Sequence, residues 1–204
     1  GDGLSLTYTP DDNWNGTETL HYTVRDDGAL TDTADIVITV NAQNDAPVAV
    51  ADSASTNEDT TVEIDVLAND YDVDTGFESD SITIVSVSGY EIATVNIINS
   101  GTALEFVPKL NLNGEEVFSY TIEDSHGVQA SNFVTVQVYA VNDAPVIAPP
   151  SNQTIEEDHG TGALSFSVSD VEGDALVLSA SSSNQTIIPD ANLAVTDLGE
   201  GNYT

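Results

Sequence analysis

The stretch QNDAPVA, residues 43–49, returns as VNDAPVI at residues 141–147, with five of the seven residues unchanged. The two copies are 98 positions apart, which is the length of a small domain. Proline restricts φ and therefore stiffens the chain where each copy stands. A short proline-bearing phrase that recurs at the spacing of a domain predicts linkers between tandem repeats.

The sequence around the phrase repeats as well. LTYTPDDNWNG, residues 6–16, matches LEFVPKLNLNG, residues 104–114, at the same distance of 98. We interpret the chain as one whole repeat between two half-repeats, which neighbouring copies or further parts of a longer chain would complete. The predicted units are the C-terminal half of a repeat at 1–45, a complete repeat at 46–144 and the N-terminal half of the next repeat at 145–204.

Apolar and polar residues alternate with period 2 through most of the repeat, and no segment sustains a helical period. The alternating segments are rich in β-branched and aromatic residues and are bounded by Gly, Asn, Asp and Ser, as strands are. They are TVEIDV (61–66), ITIVSV (82–87), ALEFV (103–107), FSYTI (118–122) and FVTVQVYA (133–140). About seven short strands per repeat predict an all-β fold of immunoglobulin-like sandwiches. Repeated in tandem, such sandwiches form an extended rod, and Tyr22 and Tyr120 are expected in its core.

The charge of the chain is strongly one-sided. Asp and Glu number 35, whereas Lys and Arg number 2, which gives a formal net charge of −33. This excludes nucleic acid and anionic membranes as partners, since both require basic surface. No apolar run approaches the roughly 18 residues of a membrane helix, so no membrane insertion is expected. With 40% hydrophobic residues the chain should fold nonetheless, and its charge should attract cations.

Nothing in the sequence points to catalysis. There is no cysteine nucleophile, GxSxG, HExxH or glycine-rich phosphate loop. Carboxylates are abundant, but they recur with the repeat, whereas a catalytic pair normally occurs once in a cleft. We therefore expect no catalytic residues and no enzymatic activity.

The acids gather in loops at alternate positions. NDYDVD (69–74) carries Asp70, Asp72 and Asp74, and SDVEGD (169–174) repeats the pattern with other acids. Oxygen ligands two residues apart can converge on one cation, and Ca²⁺ takes six to eight oxygens. The alternative is a solvated acidic surface without specific ions.

Sandwich topology brings these loops together with the linkers. The linker entering the whole repeat shares one end with two of its loops. The acids and amides expected there are Asn44, Asp45, Asp72, Asp74 and Asp124. The opposite end faces the next repeat across the second linker. The residues expected at that junction are Glu58, Glu115, Asn142, Asp143, Asp170, Glu172 and Asp174.

The NDAP linker resembles that of cadherins, and still more that of the cadherin-like tandem repeats of giant bacterial surface adhesins. This resemblance implies that both sets of residues bind Ca²⁺ between domains. It also implies a cell-surface or secreted protein in which these repeats form a Ca²⁺-stiffened spacer rod, with neighbouring repeats as partners. One departure is Thr17, which stands in the opening half-repeat where Glu115 stands in the whole repeat.

Two other functions stay open. The first is a filament in which half-repeats from neighbouring copies complete one sandwich. The second is a recognition module for glycans or other cell-surface proteins, for which Trp14 and Tyr90 are the aromatic candidates. Packing is the favoured role for Trp14. The three histidines, at 21, 126 and 159, have no spacing typical of a metal site, so solvated or locally bonded side chains are expected.

Overall fold

The computed structural model describes residues 5–75, 80–199 and 201–203, and this part of the chain is all-β. Two short 3₁₀ turns, Val66–Ala68 and Asp190–Asn192, accompany the strands. The strands are β1 (Gly16–Arg25), β2 (Thr31–Val40), β3 (Asp52–Asn57), β4 (Val62–Ile64), β5 (Thr83–Ser88), β6 (Ala93–Ile98), β7 (Ala103–Pro108), β8 (Gly114–Glu123), β9 (Gln129–Tyr139), β10 (Val146–Ala148), β11 (Phe166–Ser169), β12 (Asp197–Gly199) and β13 (Asn202–Tyr203).

Strands β3 to β9 form a seven-stranded sandwich. One sheet has the order β3-β9-β8-β5 and the other β4-β7-β6. Strand β3 runs parallel to β9, and the other pairs are antiparallel. The predicted all-β sandwich is confirmed. The five alternating segments overlap β4, β5, β7, β8 and β9. Strands β3 and β6 have the sequences DSASTN and ATVNII, in which short polar residues weaken the alternation.

The core of the sandwich comes from the inward-facing positions of both sheets. In β8 every second residue from Glu116 to Ile122 is buried, as period-2 alternation requires. Phe106 of β7 and Phe118 of β8 pack across the sheets with ring centroids 6.1 Å apart. Fully buried side chains also include Leu104 and Tyr120. Burial of such large apolar side chains is the main stabilising term, about 1.5–3 kcal/mol for each.

Strands β1 and β2 form a two-stranded sheet outside this core. Among the described residues before Pro47, none is buried. Tyr22 is 44% exposed, so its expected place in the core is wrong. Its counterpart in the repeat, Tyr120, is covered by the second sheet of the sandwich, whereas in the described ranges β1 and β2 pair only with each other. No helix in the described ranges has the length and hydropathy needed to cross a bilayer.

The remaining strands make a four-stranded sheet with the order β10-β11-β13-β12. Its first antiparallel pair, Val146 with Ser169, corresponds to the antiparallel bridge between Val48 and Tyr71, which lies one repeat earlier. Both pairs differ by the same 98 positions that separate the linker phrases. The repeat is therefore structural as well as sequential at this point, while the unit boundaries at 45 and 144 stay a prediction.

Candidate metal centre

Three carboxylates meet at the end of the sandwich where the first linker enters. Asp72 lies in the loop after the 3₁₀ turn Val66–Ala68, Asp80 just before β5 and Asp124 just after β8. One oxygen from each lies within 4.8 Å of the other two, and all three residues are buried. Antiparallel pairing of β5 with β8 explains part of this, because it places the start of one strand beside the end of the other. We call these three residues the carboxylate cluster.

The linker is tied to this cluster by hydrogen bonds. The Asn44 side-chain amide donates to Asp124 Oδ2 over 2.8 Å, and the Asp45 backbone N–H donates to Asp74 Oδ2 over 2.7 Å. The Asp74 N–H in turn donates to Asp72 Oδ1 over 2.8 Å. The structure thus joins the five residues predicted for the first junction in one network.

Several oxygens at this place have no hydrogen-bond donor. Asn44 Oδ1, Asp72 Oδ2 and Asp80 Oδ2 are buried without a partner in the described part of the chain. Buried polar atoms are almost always hydrogen-bonded in folded proteins, because burial removes their hydrogen bonds to water and an unpaired atom gains none in return. These atoms and Asp124 supply only oxygen, which is the donor set that Ca²⁺ prefers. The residues therefore fit a bound Ca²⁺.

Local hydrogen bonds favour the ionised forms of two of these acids. The Ser125 side chain and backbone N–H both donate to Asp80 Oδ1, and they lower the pKa of Asp80. For Asp124, burial raises the pKa, but hydrogen bonds from Asn44, Val128 and His126 outweigh it and bring the pKa below its usual range. Both carboxylates are thus negative at neutral pH, which is the form that binds cations.

A pocket of about 290 Å³ lies between the first linker and the segment before β1. Asp45 and Asp74 line it together with Trp14, Asn13 and Asn15 of the segment before β1. Trp14 is 38% exposed and its ring lies over Gly16, so its predicted role in packing stays a prediction. The pocket brings the opening half-repeat and the sandwich to the same place.

A model of the bacterial Ig domain matches residues 1–39 and 44–137, more than half of the chain. The chain belongs to the bacterial Ig domain family. A search among curated proteins finds no match for this bacterial Ig chain.

Solved structures similar to this bacterial Ig chain include cadherin ectodomains. PcdhgB3 EC1-4 is 15% identical over 93% of this chain and 47% of its own, with a TM-score of 0.52. Protocadherin gamma B7 extracellular cadherin domains 1-4 are 20% identical over 92% of this chain and 47% of their own, with a TM-score of 0.44. The endo-fucoidan hydrolase MfFcnA4_H294Q from glycoside hydrolase family 107 is 17% identical over 96% of this chain and 30% of its own, with a TM-score of 0.34.

The first of these likenesses supports a cadherin-like sandwich fold, and the other two scores are too low to bear on the argument. The bacterial Ig chain spans less than half the length of each of these structures.

The second junction of this bacterial Ig chain repeats several contacts of the first. The Asn142 side chain donates to the Asp143 carbonyl over 2.9 Å, as Asn44 does to Asp45 over 2.8 Å. The Asp143 N–H donates to Glu172 over 3.2 Å, as the Asp45 N–H does to Asp74. Glu172 therefore corresponds to Asp74 in its contacts. The acidic pattern alone matched Asp74 with Asp174, which lies two residues later.

The other residues predicted for this junction have different surroundings. Glu58 is buried and accepts the Val141 N–H over 2.7 Å, so it contacts the second linker directly. Asp170 accepts the Asp174 N–H over 3.0 Å. Glu115 is exposed on β8 opposite Gln137, and in the described ranges it has no hydrogen bond to the other predicted ligands. It is the second residue of β8 and not a residue before that strand.

Sequence reasoning missed Asp80. The predicted ligands are acids that recur with the repeat. Asp80 does not recur, because the residue 98 positions later is Leu178. One feature could have found it. An acid that directly precedes a strand lies beside the end of that strand's antiparallel neighbour, and here that end carries Asp124.

Proposed function

We propose that this chain is a Ca²⁺-stiffened structural and adhesive segment of a large bacterial surface or secreted protein. Its repeats act as a spacer rod, with units at 1–45, 46–144 and 145–204 and neighbouring repeats as the partners of each joint. One observation carries the proposal. Buried oxygens of Asn44, Asp72 and Asp80 have no hydrogen-bond donor among the described residues, at the place where the linker meets two loops of the sandwich.

The charges at this joint explain why a cation would stiffen it. Without one, the carboxylate cluster holds like charges within 4.8 Å of one another in a buried place, which is unfavourable. A divalent cation turns this repulsion into attraction. Because Asn44 belongs to the linker and the cluster belongs to the sandwich, one ion would hold both and restrict the angle between successive units.

The second junction supports a Ca²⁺ site that recurs at successive linkers. Its linker asparagine and its loop carboxylate make the bonds that their counterparts make at the first junction. Asp143 Oδ2 is buried without a partner among the described residues, which parallels the unpaired oxygens of the first site. We assign Glu58, Asn142, Asp143, Asp170, Glu172 and Asp174 to a Ca²⁺ site here, with Glu115 at its edge.

A filament in which neighbouring copies complete the half-repeats is the second candidate. The observation that favours it is an apolar pocket of about 600 Å³ among residues 147–196, lined by Leu164, Phe166, Leu178 and Val195. In a filament, strands from a neighbouring copy would pack on the β10–β13 sheet and fill this pocket. Elongation in sedimentation velocity that grows with protein concentration would support the filament, and a monomer at all concentrations would contradict it.

Small-angle X-ray scattering and thermal unfolding test the Ca²⁺ rod. Added Ca²⁺ should increase the radius of gyration and raise the melting temperature, and a chelator should reverse both. The double variant Asp72→Asn, Asp80→Asn should weaken both responses, because it removes ligands of the first junction and leaves those of the second in place. Asp65→Asn removes one charge from an exposed position of the same sandwich and should keep both responses in full. If neither quantity responds to Ca²⁺ in the wild type, the proposal is wrong.

A further inference from the structure

A histidine stands beside the carboxylate cluster. His126 lies in the loop between β8 and β9, and its Nδ1 is 3.6 Å from Asp80 Oδ2. The Asp80 side chain is fully buried, and this oxygen accepts no hydrogen bond in the described part of the chain. The imidazole is 45% exposed, so a ligand from solvent can reach it.

The loop holds this histidine in place through its backbone. Asp124 Oδ1 accepts the N–H groups of His126 and Val128, each over 2.8 Å. The Gly127 N–H donates to the Asp124 carbonyl, and the positive φ of Gly127, 87°, closes the turn. The same carboxylate that belongs to the cluster therefore fixes the residue that carries the imidazole.

The separation of 3.6 Å is too long for a hydrogen bond. It is close to the separation of two ligands on one ion, which is about 3–3.5 Å for bonds of roughly 2.1 Å in tetrahedral or octahedral geometry. When the imidazole is neutral, one ring nitrogen and one unpaired carboxylate oxygen at this distance fit a shared cation.

We propose that His126 adds a nitrogen ligand to the carboxylate cluster and enables it to bind a divalent transition cation of the Zn²⁺ class in place of Ca²⁺. This rests on the proposed function in that the same three carboxylates hold either ion. Imidazole is a good ligand for Zn²⁺ and a poor one for Ca²⁺, which takes oxygen. The joint would then respond to two kinds of cation through one set of acids.

The other two histidines lack this environment. His21 Nδ1 lies 2.5 Å from Asp35 Oδ1 on the exposed β1–β2 sheet, so this ring nitrogen already has a hydrogen-bond partner, and that partner is exposed. His159 lies 2.9 Å from the Glu157 carbonyl in an exposed turn. Both serve as internal controls, because a non-specific effect of the metal should reach all three.

Nitrogen-15 NMR of the imidazoles in the full chain tests the proposal. Zn²⁺ should shift the Nδ1 resonance of His126 strongly and those of His21 and His159 little, whereas Ca²⁺ should leave all three in place. His126→Gln should weaken Zn²⁺ binding by about tenfold or more and change Ca²⁺ binding by less than about twofold. His159→Gln, the matched control, should change neither.

The outcomes separate this inference from the proposed function. If Zn²⁺ leaves His126 unshifted, or if His126→Gln and His159→Gln bind Zn²⁺ equally well, the inference is wrong while Ca²⁺ binding can stand. If the wild type binds no Ca²⁺ but Zn²⁺ still shifts His126, the Ca²⁺ rod is wrong and the histidine ligand stands.

Discussion

Replacing Tyr120 by phenylalanine tests how the core holds the metal loop. The Tyr120 ring is fully buried, and its hydroxyl shares its one proton between the Val50 carbonyl at 2.7 Å and the Asp70 carboxylate at 2.9 Å. Asp70 also accepts the Val50 N–H over 2.7 Å. One hydroxyl thus joins the segment between the linker and β3 to the loop that carries Asp72.

The expected loss of stability follows from the acceptors that lose the Tyr120 hydroxyl as a donor. Burial raises the pKa of Asp70, while its bonds from Val50 and Tyr120 oppose that rise, so its carboxylate is desolvated and depends on these donors. A hydrogen bond to a charged group contributes about 1.5–3 kcal/mol, and an acceptor left unpaired loses a similar amount. Tyr120→Phe keeps the ring and opens no cavity, so we expect about 1.5–3 kcal/mol of destabilisation.

Urea unfolding at neutral pH without Ca²⁺ measures this change. Tyr139→Phe is the matched control, because Tyr139 is 54% exposed and its hydroxyl makes no hydrogen bond within the described residues. The control should stay within about 0.5 kcal/mol of the wild type. If Tyr120→Phe unfolds at the same urea concentration as the wild type and the control, the hydroxyl does not anchor the loop and the reasoning fails.

Three further predictions concern the sandwich and the joint. Glu116→Ala should lower the free energy of unfolding in urea by about 2 kcal/mol or more, because Glu116 accepts the N–H groups of Glu91 and Ile92. The control Glu115→Ala, at the exposed neighbouring position, should lower it little. Equal losses would contradict a stabilising role for the Glu116 hydrogen bonds. Leu104→Ala should cost about 2–5 kcal/mol, since Leu104 is fully buried, and a cost below 1 kcal/mol would show a looser core. Ca²⁺ should change the fluorescence of Trp14, the single tryptophan, because it shares a pocket with Asp45 and Asp74; unchanged emission at saturating Ca²⁺ would contradict that placement.

The sandwich was predictable because its strands carry a strong local pattern. The inward face of β8 carries Phe118, Tyr120 and Ile122, and that of β9 carries Val134, Val136 and Val138. This alternation fixes both strands and the face that each one buries. The same pattern misplaced Tyr22. Alternation shows which face of a strand is apolar, but it does not show whether another sheet covers that face.

The site was predictable only where its residues recur with the repeat. The linker pairs and the loop acids appear twice, and the structure joins those of the first junction in one network. Asp80 and His126 occur once, and strand pairing and a loop turn bring them to the cluster. Contacts of that kind depend on loop lengths and three-dimensional packing, which the repeat pattern does not contain.

Calorimetric titration of Ca²⁺ into the wild type, Asp80→Asn and Asp65→Asn tests the central claim most directly. The two variants remove the same charge, one from the carboxylate cluster and the other from the exposed surface of the same sandwich. Asp80→Asn should bind Ca²⁺ about tenfold more weakly or lose one site, because a ligand is lost, and Asp65→Asn should match the wild type. Identical isotherms for all three proteins, or no binding to the wild type, would contradict a Ca²⁺ site at this joint.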